Sequence, residues 1–141
     1  MTDHISDIKG WFELAVPTPT DKNRAVQIGC HFEEVLEMLQ TLPTNHPCLR
    51  DDLADIANKY KQRREVSPEE PDRIELLDAL CDQIVTAVGV AHMFGMDIEG
   101  ALAEVTRSNY SKFVDGKPVF DANGKIAKPP SYSKPNLEQF V

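Results

Sequence analysis

Three glutamates crowd the segment HFEEVLEMLQ at residues 31–40, namely Glu33, Glu34 and Glu37. On a helix, their spacing places all three carboxylates within about one turn. Like charges at that separation repel one another, so the crowding calls for an explanation. The group either forms a solvated helix face that tolerates mild repulsion, or it holds a hard cation, because Mg²⁺ prefers oxygen ligands.

A second acidic group precedes and enters an apolar segment, ALCDQIVTAVGVAHMFGM at residues 79–96. Glu75, Asp78 and Asp82 fall within roughly 60° of one another around a helix. The segment is apolar on nearly every face, which predicts a central, buried helix. Asp82 is its only carboxylate. Because burying an ionised carboxylate is costly unless it is paired, protonated or bound to metal, the pattern favours a metal ligand.

Packed antiparallel, the two helices would bring Glu34 and Glu37 to face Asp78 and Asp82 around one cation. Four carboxylates with water suit Mg²⁺ or Mn²⁺. Three other interpretations stay open at this point. Each acidic group alone is compatible with a solvated surface, the cation could be structural or regulatory in a helical interaction module, or the acidic stripes could pair with basic residues of a partner in a plain oligomerisation domain.

Composition narrows the class of protein. The chain has 141 residues, of which 41% are hydrophobic and 27% charged, as expected for one globular domain. A formal charge of −8 argues against a nucleic-acid partner, which needs a basic surface. Apolar runs are interrupted by polar residues and the N-terminal segment lacks the pattern of a signal peptide, so neither a membrane partner nor export is expected. Three widely spaced cysteines are typical of a reducing cytosol.

Hydrophobic periodicity predicts an all-α fold. Beyond Tyr110 the pattern dissolves into a tail with two turn signals, Asp115–Gly116 and Asn123–Gly124, which allow a small hairpin. We therefore expect a single domain over 1–141, with a helical core at about 5–109 and an extended tail over 110–141. The predicted helices are 5–16, 23–42, 49–64, 72–94 and 98–109.

The segment EEVLE, followed by an acidic second helix, resembles the EExxE…ExxD signature of the all-α nucleotide pyrophosphohydrolases, the MazG-like and phosphoribosyl-ATP pyrophosphohydrolase-like superfamily. The first half matches at Glu33, Glu34 and Glu37. ELLD at 75–78 satisfies ExxD by letter, but the distance to Gly95–Asp97 favours Asp82 as the family aspartate. In that register Ala79 stands where the family has glutamate, and either Asp78 or Glu75 completes the ligand set.

The tail is similar to the end of a MazG-like subgroup that carries SNxSK, GKP, DGK and KGPxxxxPxL. Its matching pieces here lie at 108–112, 116–118, 123–125 and 128–129. The resemblance spans roughly residues 24–137. Five lysines collect in this last third of an acidic chain, where they could neutralise substrate phosphates; alternatively, they keep a disordered tail soluble. They are Lys112, Lys117, Lys125, Lys128 and Lys134.

The resemblance implies a four-helix core of MazG type, assembled into homodimers or homotetramers, that hydrolyses a nucleoside triphosphate between its α and β phosphates. Glu34, Glu37, Asp78 and Asp82 would hold Mg²⁺ (or Mn²⁺). Glu33 and Glu34 would act in catalysis, with Glu33 orienting or deprotonating the attacking water. Asn109, Lys112, Lys125 and Lys128 would bind the substrate. The expected location is the bacterial cytosol or a phage-infected cell, and the preferred base stays open.

Three aromatic residues and two histidines lie outside the acidic groups and the lysines. Trp11, Phe12 and Tyr132 could stack on a base, although single aromatic residues are more often part of a core. His31 and His92 are predicted to lie in the core or to pack between helices, without a chemical role.

Overall fold

The computed structural model describes residues 3–43, 47–64 and 69–141. It confirms the all-α class, because the described residues form helices and two isolated β-bridges but no strand. Every predicted helix is present, with ends within three residues of the prediction. No helix in the described ranges is both long and apolar enough to cross a membrane. The helices are α1 (His4–Ala15), α2 (Asp21–Thr41), α3 (Pro47–Lys61), α4 (Arg73–Met93) and α5 (Ile98–Tyr110), followed by a short 3₁₀ turn at Glu138–Phe140.

Polar side chains fix where the two long helices begin. Thr20 and Asn23 form a reciprocal capping box at the start of α2, in which the Thr20 hydroxyl accepts from the Asn23 amide. Asp72 caps α4 by accepting hydrogen bonds from the amides of Ile74 and Glu75. These caps satisfy amide groups that have no partner within the helix, and so set the register of the acidic residues that follow.

The chain divides into two compact units. The first contains Met1–Ala15, Glu69–Val119 and Lys128–Val141, and the second contains Val16–Pro68 and Phe120–Ala127. The acidic residues of α2 therefore belong to the second unit, and those of α4 to the first. The arrangement of a four-helix core within one domain stays a prediction.

The second unit contains a helical hairpin of α2 and α3 together with the Phe120–Ala127 segment. Small residues, Ala25, Gly29 and Ala57 among them, are buried along the contact, and the rings of Phe32 and Tyr60 meet with centroids 5.8 Å apart. Small side chains allow two helix backbones to approach closely. This close approach determines which polar groups of α3 reach α2.

In the first unit, α1 packs on α5. The hydroxyl of Tyr110 donates a hydrogen bond to the carbonyl of Asp7 at 2.9 Å, and Trp11 stacks on Phe113 with centroids 5.5 Å apart. Trp11 also meets Phe12 edge to face at 4.9 Å. The aromatic residues of α1 therefore pack against one another and against the end of α5, as expected for a small core.

The prediction that α4 is a buried central helix is wrong for this chain. Nearly all of α4 is exposed, including Val85 at 66% and Met93 at 82%, and its only fully buried residue is Ala91 near the C-terminal end. Asp82 is exposed as well. An apolar helix can be covered by its own fold or by another molecule, and hydrophobicity alone does not distinguish the two. The desolvation argument for a metal at Asp82 therefore fails.

The last segment of the tail is tied to α5 rather than disordered. Glu104 pairs with Arg107 at 2.7 Å and also accepts a hydrogen bond from the amide of Asn136. Arg107 donates to the Ser133 hydroxyl, and the amide of Asp97 donates to the carbonyl of Phe140. The alternative of a disordered, merely solubilising tail is therefore wrong for this segment.

Candidate functional site

Glu33 is the acidic residue of α2 that the structure places in a defined electrostatic environment. Its Oε2 atom lies 2.5 Å from the Nζ of Lys61 and 2.9 Å from the Nζ of Lys125. Lys61 belongs to the last turn of α3, whereas Lys125 lies in the Phe120–Ala127 segment of the same unit. One carboxylate oxygen is thus shared by two ammonium groups from different parts of the unit.

The position of Lys61 follows from Gly29, one turn before Glu33. A Cβ atom at Gly29 would lie 2.7 Å from the carbonyl oxygen of Ala57, 2.7 Å from the Cγ of Lys61 and 2.9 Å from its backbone nitrogen. No side chain fits at those distances, so the last turn of α3 lies directly on the backbone of α2 because residue 29 is glycine. From this position the side chain of Lys61 reaches the carboxylate of Glu33.

A turn places Lys125. The Asp121 carboxylate accepts hydrogen bonds from the amides of Asn123 and Lys125, and the Asp121 amide donates to the carbonyl of Lys125 at 2.8 Å. Gly124 has φ +80°, the left-handed conformation that a turn of this kind requires. The Asn123–Gly124 turn signal in the sequence therefore serves to project Lys125.

The contacts among these side chains favour the charged forms of Glu33 and Lys125. The hydrogen bond from Lys61, followed by that from Lys125, holds the pKa of Glu33 below its usual value against an opposing effect of burial. Glu33 in turn raises the pKa of Lys125. Next to them, burial raises the pKa of the Cys30 thiol, which therefore remains protonated at neutral pH.

The four predicted metal ligands are all exposed, and they come from both units. Glu34 and Glu37 lie on α2, and Asp78 and Asp82 lie on α4. Within the described part of either unit, no group of three or more His, Cys, Asp or Glu side chains is arranged to hold a metal ion. The chemistry of the donors suits Mg²⁺, since exposed carboxylates are hard oxygen ligands, but the four-carboxylate site stays a prediction.

Three of the predicted substrate ligands lie together in the first unit. The ammonium groups of Lys112 and Lys128 lie 5.9 Å and 5.3 Å from the centroid of the Tyr132 ring, within the range of cation–π attraction. The Lys112 ammonium also donates to the Asn109 side chain at 2.7 Å. Lys125, the fourth predicted ligand, belongs to the second unit and contacts Glu33 instead.

Lys61, His31 and His92 have no chemical role predicted from the sequence. Lys61 was missed, because its importance depends on the register of α3 against α2, and only the glycine at 29 hinted at a close approach. His31 and His92 are both exposed, so they do not lie in the core; packing between helices stays a prediction.

Comparison of the chain with protein family models, with curated proteins and with solved structures finds no match. The likeness to the MazG-like pyrophosphohydrolases rests on the motifs of the sequence alone. The function that this likeness implies is therefore a proposal.

Proposed function

We propose that this protein is a Mg²⁺-dependent nucleoside triphosphate pyrophosphohydrolase, which cleaves between the α and β phosphates to give a nucleoside monophosphate and pyrophosphate in the cytosol. The observation that supports this most is the pairing of Glu33, the first acid of the EEVLE motif, with Lys125, a lysine expected to bind phosphate. A lysine that pairs with a carboxylate in the free protein is suitably placed to exchange it for a phosphate oxygen.

The acidic residues have two roles in this proposal, binding the metal ion and orienting the attacking water. Glu34, Glu37, Asp78 and Asp82 would hold Mg²⁺, with Glu75 as the substitute for Asp78. The metal, when bound, would neutralise phosphate oxygens and acidify a water molecule. The lysines on Glu33 keep its carboxylate ionised, so that its second oxygen can accept a hydrogen bond from the attacking water and orient it.

The lysines around Tyr132 would bind the remaining phosphate charge. Lys112 and Lys128 approach the same ring, and Asn109 holds the Lys112 ammonium. Two cations near one ring would otherwise repel each other, and a polyanion removes that repulsion. The Tyr132 ring itself is half-buried, and its substitution would test a role in base stacking.

We further propose that a second copy of this chain covers α4. The helix has 21 residues, and its exposed apolar side chains occur on several faces. A surface of this kind is rarely left in water, and two-fold self-association is the most common way to cover it. Homodimer and homotetramer both satisfy this requirement.

The test of the function is pyrophosphate release from a panel of ribo- and deoxyribonucleoside triphosphates, measured with Mg²⁺ and again with EDTA. The proposal expects release from at least one nucleotide that EDTA abolishes, with the monophosphate as the other product. Release of orthophosphate and a diphosphate would contradict the position of cleavage. Absence of release across the panel would contradict the function as stated.

A second candidate function is a helical oligomerisation module that binds a cation without turnover, favoured by the exposed apolar surface of α4. Such a module would melt at a higher temperature with Mg²⁺ yet release no pyrophosphate. A plain oligomerisation domain would melt at the same temperature with and without the metal.

A further inference from the structure

We propose that Lys61 is a positioning residue, which fixes the Glu33 carboxylate in the orientation that the reaction needs. This inference rests on the proposed pyrophosphohydrolase function and adds to it a residue that lies outside the EEVLE motif, on a different helix.

The two lysines on Glu33 differ in how firmly they are held. The side chain of Lys61 is 18% exposed and that of Lys125 is 49% exposed. Lys61 projects from a helix, whereas Lys125 projects from a turn. A polyanionic substrate can therefore draw Lys125 away from Glu33 with little change in the unit, while Lys61 stays in contact.

The stem of Lys61 is confined as well as its ammonium group. Its Cγ lies over Gly29 at a distance that excludes any side chain there, so its path toward Glu33 is set by the backbone of α2. Ordering a free lysine side chain costs rotamer entropy. Here the packing of α3 on α2 has already restricted the side chain, and the ion pair forms with less loss of freedom.

A carboxylate held in this way has a defined orientation before the substrate arrives. Groups that support a reacting residue commonly change turnover more than binding, because they act on the geometry of the reacting atoms. Lys61 is therefore expected to affect kcat through Glu33. A lysine that binds phosphate directly would change KM.

The experiment compares steady-state hydrolysis of the preferred nucleotide by the wild type and by Lys61→Met, Lys61→Gln and Lys61→Arg. The first two variants remove the charge, and we expect kcat to fall about 10- to 100-fold, the usual cost of losing a group that orients a reacting residue, with KM unchanged. Lys61→Arg retains the charge and should recover most of that loss. The matched control is Lys59→Met on the same helix turn, since Lys59 pairs with Asp55 at 3.0 Å, and it should behave as the wild type.

A double-mutant cycle tests whether Lys61 acts through Glu33. In the Glu33→Gln background, Lys61→Met should cause no further fall in kcat. An equal fall in both backgrounds, or a rise in KM with kcat unchanged, would overturn the inference. Circular dichroism melting identifies any variant that is unfolded at the assay temperature; if Lys61→Met is, Lys61→Gln carries the same expectation.

The outcome also separates this inference from the proposed function. An active wild type with normal kinetics in Lys61→Met and Lys61→Gln overturns the role of Lys61 and leaves the function standing. A wild type that hydrolyses no nucleotide overturns both.

Discussion

The acidic residues of α2 and of α4 both include i, i+3 and i, i+4 pairs, but their surroundings in the structure differ. On α2, Glu33 is held by two lysines from its own unit, and the contact depends on a glycine that lets α3 approach. On α4, Asp78 and Asp82 lie on an exposed helix among apolar neighbours. The comparison shows that i, i+3 and i, i+4 patterns identify which acids can act together, whereas packing decides which of them is already organised.

The largest effect is expected from Asp82→Asn, which tests whether the exposed acids of α4 take part in chemistry at all. Loss of a metal ligand should lower pyrophosphate release at saturating Mg²⁺ more than about 100-fold, since even a supporting residue of a metal site commonly costs 10- to 100-fold. Circular dichroism should show an unchanged fold. The control is Asp52→Asn, an exposed acid on α3. Full activity in Asp82→Asn would show that Asp82 takes no part in the reaction and belongs to a solvated helix face.

The second prediction concerns the exposed apolar surface of α4. Ile84 is 52% exposed and lies on the side of α4 away from Asp82. If a second copy covers this surface, Ile84→Glu places one charge per copy in the interface. Each substitution also removes the burial of an isoleucine side chain, which is worth about 1.5–3 kcal/mol. Sedimentation velocity should then show a shift toward monomer, while Ile84→Leu keeps the assembly. A wild type that is monomeric at all concentrations would contradict the proposal.

The third prediction compares two helical glycines, one in each region. Gly29→Ala forces α3 away from α2 and should lower the free energy of unfolding by about 1–3 kcal/mol. Gly89→Ala meets no atom within 4 Å and should raise it by about 0.5–1 kcal/mol, because alanine favours the helix. Urea denaturation measures both. Stabilisation by Gly29→Ala would mean that the close approach does not hold Lys61 in place.

The smallest effect is expected at Glu104, an acid of α5 that pairs with Arg107. The hydrogen bond from Arg107, and then that from the Asn136 amide, lowers the pKa of Glu104 to about 2 from an ordinary 4.5. A lowered pKa in the folded state gives stability that is complete above the ordinary value and is lost as the pH falls toward about 2. The melting temperature of the wild type should therefore exceed that of Glu104→Gln at pH 6 and converge with it toward pH 2.

Sequence reasoning predicted the helices because periodicity and capping are local. It placed the five α-helices found in the described residues, and the Asn123–Gly124 signal correctly indicated a turn. It did not predict the burial of residues, which depends on how the helices pack against one another. An apolar helix such as α4 has the same sequence whether it is covered by its own chain or by another, and the prediction that Asp82 is buried is therefore wrong.

The contact of Lys61 with Glu33 could not be predicted for a related reason. It depends on the register between two helices, which is set by one glycine and is not visible in either helix alone. The links between Arg107 and the tail are also long-range in sequence and were missed. The prediction for Lys125 is that it binds substrate phosphate; its contact in the structure is the Glu33 carboxylate, and the phosphate role stays a prediction.

The central proposal is that Glu34 and Glu37 bind the same metal ion as Asp78 and Asp82. Its direct test is Mn²⁺ binding followed by electron paramagnetic resonance. Wild type, Glu37→Gln and Asp82→Asn would each be titrated with Mn²⁺ in the absence of nucleotide. The account predicts that either single substitution weakens binding about tenfold or more, since both remove a ligand of one site. Unchanged binding in either variant would show that the two acidic groups do not share an ion, and would contradict the account.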